Sequence, residues 1–450
     1  MAFVRKILLA LAALAGASTL APAVATAATP VVPGVRSCFW FRPPVGADPY
    51  VNVAYPDANA RYWTAVFTTP PGATLALKAD FPHARYLSLI SYDAAGKPLE
   101  ALADYRITPD AGATNPFIAG ARRDGSKRGF TIQILDAAPA AGQTEGQIIA
   151  GDRQNVLHTP ALGAGRQQVL VMRVYVPDRG RDILGGVGLP EAELTLADGR
   201  KLTGQAACDA LNTTQAPVLT AAALSIPLDD FAKLSHQPDK PAHWPATNPL
   251  SWFVQYDRKF LLGIYTGERP AGARKSEGGF FPNPDNNYIR TIINRGYGRV
   301  LVLRGKMPTT ARTLGGEAVM SQGQLRYWSI CSNQGFANTR ATACLFDEEV
   351  PLDKDGWYTI VISREADRPR NAVAACGVAW LKLADDGDGA FDPDAGVIQI
   401  RNMLADPGFT QSIQAVTEIG TEKAVMGDYL PTGTYMMTNT FESVQACPLE

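Results

Sequence analysis

The chain has 450 residues, 46% of them hydrophobic, with 42 Lys plus Arg against 43 Asp plus Glu and a formal net charge of −1. That balance excludes a nucleic-acid binder driven by counterion release and an electrostatic membrane binder, both of which need a basic face. The length exceeds what one hydrophobic core holds and implies two domains.

The N-terminus opens with Arg5-Lys6, an apolar run from Ile7 to Ala17 and the small residues Ala25-Thr26-Ala27. This tripartite pattern reads as an export signal over residues 1–27, cleaved after Ala27. The apolar run is about 11 residues, short of the roughly 20 that cross a bilayer as a helix, and no later stretch reaches that length without a charge or a helix breaker. No transmembrane segment is expected, and the mature chain is expected in the periplasm or outside the cell.

Prolines (33) and glycines (41) cut the chain into short segments throughout. Alternating or β-branched runs at residues 73–78, 86–92, 129–135, 168–176, 300–304, 325–332, 357–363, 378–383 and 397–400 read as strands. Helix signals are confined to 224–234, with Pro227 near its start, and 409–416. Short, regularly spaced strands point to a mainly β protein of antiparallel, jelly-roll-like β-sandwich domains.

Two parts of the chain echo each other in the same order. Tyr55-Pro-Asp-Ala-Asn-Ala is matched by Asn283-Pro-Asp-Asn-Asn-Tyr, Gly72-Ala-Thr-Leu-Ala-Leu-Lys by Gly298-Arg-Val-Leu-Val-Leu-Arg, and Arg85-Tyr-Leu-Ser by Arg326-Tyr-Trp-Ser. An internal duplication follows: related domains over 38–212 and 276–450. They are joined by a Pro-rich segment, 213–275, with a short helix and a strap carrying Trp244 and Trp252.

The six cysteines, in an exported chain, imply up to three disulfides. No zinc-like spacing is present. If the strand ending near Cys331 forms a hairpin with the apolar stretch entered at Cys344, those two cysteines pair, leaving Cys38–Cys208 and Cys376–Cys447. The competing arrangement is Cys331–Cys376 with Cys344–Cys447.

Four groups of residues carry chemistry. His83 and His158, if they share one rim of the first domain, would form an acid–base or metal pair; the alternative is a pair of surface or turn histidines. Asp178, Arg179, Arg181 and Asp182 run into Gly185-Gly186, which suits an acidic sugar or carboxylate; the alternative is a solvated loop whose charges fix its own turn. Strand alternation puts Tyr86 with Ser88, and Tyr327 with Ser329, on faces that could line a ligand groove beside Arg85 and Arg326, or simply pair across strands. Asp386, Asp388, Asp392 and Asp394 offer clustered oxygens for calcium, or cap a hairpin tip.

The runs Phe81-Pro-His-Ala-Arg-Tyr, Asn115-Pro-Phe, Val174-Tyr-Val-Pro-Asp-Arg-Gly-Arg-Asp and Gly185-Gly-Val-Gly-Leu-Pro resemble an uncharacterised family of exported bacterial two-domain proteins. The first half is also similar to β-sandwich domains of unknown function. The resemblance implies the fold and no chemistry.

Two function classes fit these features. One is a non-catalytic exported binding or cell-envelope protein for a glycan or another amphipathic ligand. The other is an exported hydrolase or lyase with its site around His83, His158 and Asp178–Asp182. No hydrolase elbow, HExxH or P-loop is present.

Overall fold

The first half begins with a hairpin of β1 (Val35–Ser37) and β2 (Trp40–Arg42), followed by β3 (Ala60–Phe67), β4 (Thr74–Asp80), β5 (Ala84–Tyr92) and β6 (Pro98–Ala103). It continues with β7 (Gly129–Leu135), β8 (Val156–His158), β9 (Gln168–Pro177), β10 (Glu191–Thr195), β11 (Lys201–Thr203) and helix α1 (Gly204–Ala210). This computed structural model describes residues 35–139, 155–162, 166–215, 224–255, 258–268 and 280–447. The export signal expected over 1–27 lies outside them.

A connecting region holds α2 (Leu228–Ser235), β12 (Phe253–Gln255) and α3 (Arg258–Thr266). The second half contains β13 (Asn286–Asn294), β14 (Val300–Lys306), β15 (Tyr327–Asn333), β16 (Ala341–Phe346), β17 (Trp357–Ser363), β18 (Val378–Lys382) and β19 (Ala395–Met403). It ends with α4 (Glu422–Met426), β20 (Thr432–Met436) and α5 (Thr438–Val444).

The protein is mainly β, and the two halves repeat one topology. Sheet β3-β9-β5-β6 has the strand order of β13-β19-β15-β16, and β10-β4-β7-β8 has that of β20-β14-β17-β18. Both copies carry the same irregularity, a parallel last pair, β7 with β8 and β17 with β18, where the neighbouring pairs are antiparallel. Register aligns the halves residue by residue. Tyr62 opposes Arg173 as Tyr288 opposes Arg401, and Ser88 opposes Arg173 as Ser329 opposes Arg401. This alignment moves the first sequence echo by two residues. Counting back from Tyr62 and Tyr288, Tyr55-Pro-Asp57 corresponds to Phe281-Pro-Asn283, so Asn283 and not Asp285 stands where Asp57 does.

Each half has its own core. Alternate residues Leu87 and Leu89 of β5 pack with Leu75 and Leu77 of β4 and Phe130 and Ile132 of β7; Trp328 and Ile330 of β15 pack with Leu301, Leu303, Ile360 and Ile362. The opposite face of β5 and β9 is also covered, so β5 is buried at every position and β9 at all but its last. What covers that face is the other half, and Val32–Glu450 forms one compact unit.

The helix expected over 224–234 begins later, at Leu228, directly after Pro227, whose missing N–H costs nothing at a helix start. The one expected over 409–416 shortens to a single turn, Ile413–Ala415, capped by the Ser412 side chain. The connecting region contributes β12 to the second half's sheet, where Phe253 pairs with Arg290, and Trp252 enters that half's core with its indole N–H donating to the Pro431 carbonyl at 3.0 Å. All three expected cysteine pairs sit at bonding distance. Cys331 and Cys344 face each other in the β15–β16 register, and Cys38–Cys208 and Cys376–Cys447 close the remaining two. Among the described residues no helix is long and apolar enough to cross a membrane.

Candidate functional site

A largely apolar cavity lies between the halves. It contains about 980 Å³ of empty space including its mouth. Its floor is one face of four central strands, as the alternation of β structure requires: Tyr62 and Thr64 of β3, Val171 and Arg173 of β9, Tyr288 and Arg290 of β13, Gln399 and Arg401 of β19. Its walls are largely apolar and aromatic, with Phe41, Val45, Val53, Tyr55, Leu224, Phe280 and Phe281.

The floor is pseudo-symmetric in backbone and asymmetric in chemistry. Arg401 is fully engaged. Its Nη2 donates to the Tyr55 carbonyl at 2.7 Å, its Nη1 to Cys331 Sγ at 2.8 Å, and Asp57 Oδ2 lies 3.4 Å away as counter-ion. At the corresponding position Arg173 donates through Nη2 to Tyr92 Oη at 2.6 Å and to the Phe281 carbonyl at 3.0 Å. Its Nη1 is buried without a partner; Asn283 stands where Asp57 does, and the buried Asp285 carboxyl feels the Arg173 charge. Arg290 has no counterpart in the first half, where Thr64 occupies its place. It is 3% exposed, and its Nε and Nη1 have no hydrogen-bond partner. Its guanidinium has the rings of Tyr55 and Tyr288 as neighbours, 5.0 and 5.8 Å from the centroids. Gln399, paired with Arg290 across β13 and β19, is wholly buried with both amide atoms unpartnered.

Burial pushes Arg290 down to about 9, opposed by Tyr55 and reinforced by Arg401, so it still carries its proton at neutral pH. Burial also raises the Tyr55, Tyr62 and Tyr175 hydroxyls, which therefore serve as neutral groups. Among the described residues, the cavity lining contains no carboxylate or histidine. Arg290 and the open Nη1 of Arg173 thus face the cavity with no hydrogen-bonded anion from its lining, an arrangement that costs several kcal/mol per ion unless something pairs with it.

The residues singled out from sequence are distributed differently. His83 does meet the 178–186 loop: its carbonyl accepts from the Asp178 N–H at 2.9 Å and its N–H donates to the Gly185 carbonyl at 3.0 Å. Gly185 has φ +69°, and a Cβ there would lie 2.8 Å from the His83 oxygen, so only glycine fits. His158 sits instead beside Leu135, at the far end of β7, with Nδ1 2.9 Å from the buried carboxylate of Glu100. The seven residues of β7 put roughly 20 Å between the two rims, so the histidines do not form the expected pair.

Within the loop, Asp178 bonds Arg123 at 2.5 Å, and Asp182 Oδ1 accepts from the N–H groups of Leu184 and Gly186. The Arg179 N–H donates to the Leu314 carbonyl at 2.8 Å, and the Arg181 N–H to the Asp178 carbonyl at 2.9 Å. The Asp182 and Arg181 bonds fix the turn itself, while Asp178 and the Arg179 N–H tie the loop to Arg123 and Leu314.

The Tyr–Ser faces are not an open groove. Tyr86, Ser88, Tyr327 and Ser329 are wholly buried between the halves. Tyr327 Oη and Ser329 Oγ donate to Asp57 at 2.9 and 2.7 Å, and Tyr86 Oη donates to Asp285. Arg85 and Arg326 are buried ion-pair partners of Asp347 and Asp104.

In the acidic loop, Asp386 accepts from Gln334, Asp392 from Asn294, and Asp394 pairs with Arg295. Asp388 Oδ1 takes three backbone N–H groups. The only grouping of three metal-ligating side chains among the described residues is Asp57 with Cys331 and Cys344, whose sulfurs are joined to each other.

Sequence reasoning passed over Arg173, Arg290, Gln399 and Arg401. Their signal was present: a polar residue interrupting an otherwise apolar strand, as in Val-Leu-Val-Met-Arg173-Val-Tyr-Val.

No protein-family profile and no curated protein matches the chain in sequence. Among solved structures it is similar to an uncharacterised protein from Burkholderia cenocepacia (11% identity, 82% of this chain and 79% of that one, TM-score 0.44). It is also similar to the VPA0106 protein from Vibrio parahaemolyticus (12% identity, 85% and 90%, TM-score 0.37). Both are uncharacterised bacterial proteins.

Proposed function

We propose that this is an exported binding protein, built from two related β-sandwiches, that takes a small amphipathic ligand into the cavity between them. The observation that carries this reading is the cavity itself: an apolar and aromatic wall over a polar floor, the composition that small-molecule sites use to bury a ligand's body and orient its polar end. Three cysteine pairs at bonding distance support an oxidising compartment. The hydrolase or lyase alternative draws less support, since His83 and His158 lie apart, Asp178 is paired with Arg123 and Asp182 caps its own turn.

A thermal-shift screen against sugars, polyanions, lipids and divalent ions tests the reading, with Thr64→Phe as the control. Arg290 fills the equivalent position in the other half, so that strand face accommodates a long side chain. Amphipathic ligands should raise the melting temperature of the parent, by about 2.7 kcal/mol of stability at 100 times Kd, and leave the variant unmoved. Equal shifts in both proteins, or none in the parent, would dismiss the cavity as the site.

A further inference from the structure

Resting on that reading of the cavity, we propose that its ligand is a carboxylic acid with an apolar body, the carboxylate seated on Arg290 with Gln399 and Arg173 as further donors. Arg290 is 3% exposed, and its guanidinium Nε and Nη1 have no hydrogen-bond partner among the described residues. Buried polar groups are almost always satisfied, and an unsatisfied one in a cavity marks what the cavity receives. A planar, forked donor that keeps its charge matches a carboxylate bidentately.

Gln399 lies directly across the strand pair, its amide free at both atoms, and Arg173 presents an unpartnered Nη1 to the same space. The third arginine, Arg401, already has Asp57, which leaves a charge of two positive among the floor's own side chains, Asp285 acting on Arg173 from outside the lining. One carboxylate offsets half of it and satisfies the donors that the protein leaves open. The asymmetry between the halves has the same sense. Where the first half has the paired Thr64 and Val171, the second has Arg290 and Gln399, so the donors gather at Arg290, Gln399 and Arg173 and the Thr64–Val171 pair leaves an uncharged part of the floor. A ligand with one charged end and one apolar end has a single orientation there.

The experiment is calorimetric titration of the full chain with decanoate and with decanol at neutral pH, in the parent and in Arg290→Met. The parent is expected to bind decanoate at least about tenfold more tightly than decanol, the range of a charge-assisted hydrogen-bond pair. Arg290→Met is expected to bind the two within about threefold of each other, with decanol affinity retained and the unliganded melting temperature unchanged or raised, because an unpaired buried charge has been removed. Equal affinities in the parent, with both ligands bound, would overturn the carboxylate assignment and leave the cavity reading standing; absence of binding by either would overturn both. A preference surviving in Arg290→Met would also refute the assignment. Should that variant fail to fold, Arg290→Lys keeps the charge and loses the fork: decanoate affinity should fall while the preference over decanol persists, and an unchanged decanoate affinity would count against the proposal.

Discussion

Arg85 and Arg326 each donate to the other's backbone carbonyl, Arg85 Nη1 to Arg326 O at 3.3 Å and Arg326 Nη1 to Arg85 O at 3.4 Å. The relationship extends outward. Arg85 pairs with Asp347, which also caps the Trp328 N–H; Arg326 pairs with Asp104, which caps the Leu87 N–H. Each half thus holds its own strand with an aspartate and uses that same aspartate to grip the arginine of the other half. The contact between the halves is a reciprocal ion-pair system, buried on both sides.

Removing one member strands its partner. Arg85→Met should destabilise by about 3–5 kcal/mol, the cost of leaving Glu348 and the buried Asp347 without Arg85, and adding Asp347→Leu should recover part of that loss. Chemical denaturation of the two single variants and the double variant measures the coupling; additive effects would show that the two residues do not act together.

The Cys331–Cys344 bridge closes a loop of 13 residues between facing strands. Replacing both cysteines with serine should cost about 3 kcal/mol on the chain-entropy estimate. Cys331 Sγ also accepts from Arg401 and Cys344 Sγ from the Ala58 N–H, so the loss should be accompanied by altered ligand response in the cavity. Non-reducing peptide mapping checks the pairing, and a peptide linking Cys331 to any other cysteine would refute it.

His83 is pushed down to about 4 by burial, with Arg128, Arg181 and Arg123 acting in the same direction. Between that value and its ordinary 6.5, the unfolded chain binds more protons than the folded one. Stability from this residue therefore rises with pH across about 4 to 6.5 and is complete above it. Asp104 runs the other way: burial outweighs Arg326 and raises its carboxyl to about 6, so its contribution falls as pH rises from about 4 to 6. His83→Gln should flatten the rising component, leaving melting temperature more steeply falling over that window than in the parent. Parallel profiles for the two proteins would argue against the shift.

Asp388 Oδ1 accepts from the N–H groups of Ala390, Phe391 and Asp392 at 2.8, 2.8 and 3.1 Å. Asp388→Ala should lower stability by about 1–2 kcal/mol, as for loss of a strong backbone cap. Since the neighbouring carboxylates already have protein donors, the difference should be the same in EDTA and in excess calcium. A parent midpoint that climbs with calcium, and a variant midpoint that does not, would make the loop a metal site.

Local pattern was enough for much of this molecule. The β runs, the Cys331–Cys344 hairpin and the pattern within each matched segment follow from residues near one another in sequence, because strand alternation and turn chemistry act over a few positions. Leu87 and Leu89 announce their core face by alternating with Tyr86 and Ser88. What alternation does not announce is the fate of the second face. Tyr86, Ser88, Tyr327 and Ser329 look like a solvent-facing set, yet each is buried, because the other half covers that side of the sheet.

The cavity belongs to the same category. Thr64, Arg173, Arg290 and Gln399 come from four strands spread over more than three hundred positions, and nothing local joins them. The sequence by itself determined a mainly β chain with repeated segments and paired cysteines, since those rest on short-range periodicity and covalent chemistry. Only the tertiary structure decided that Arg401 would find Asp57 while Arg173 met a neutral Asn283 and Arg290 met no carboxylate. A charge's cost depends on which distant groups share its low-dielectric surroundings, and that is settled when the two halves close on each other.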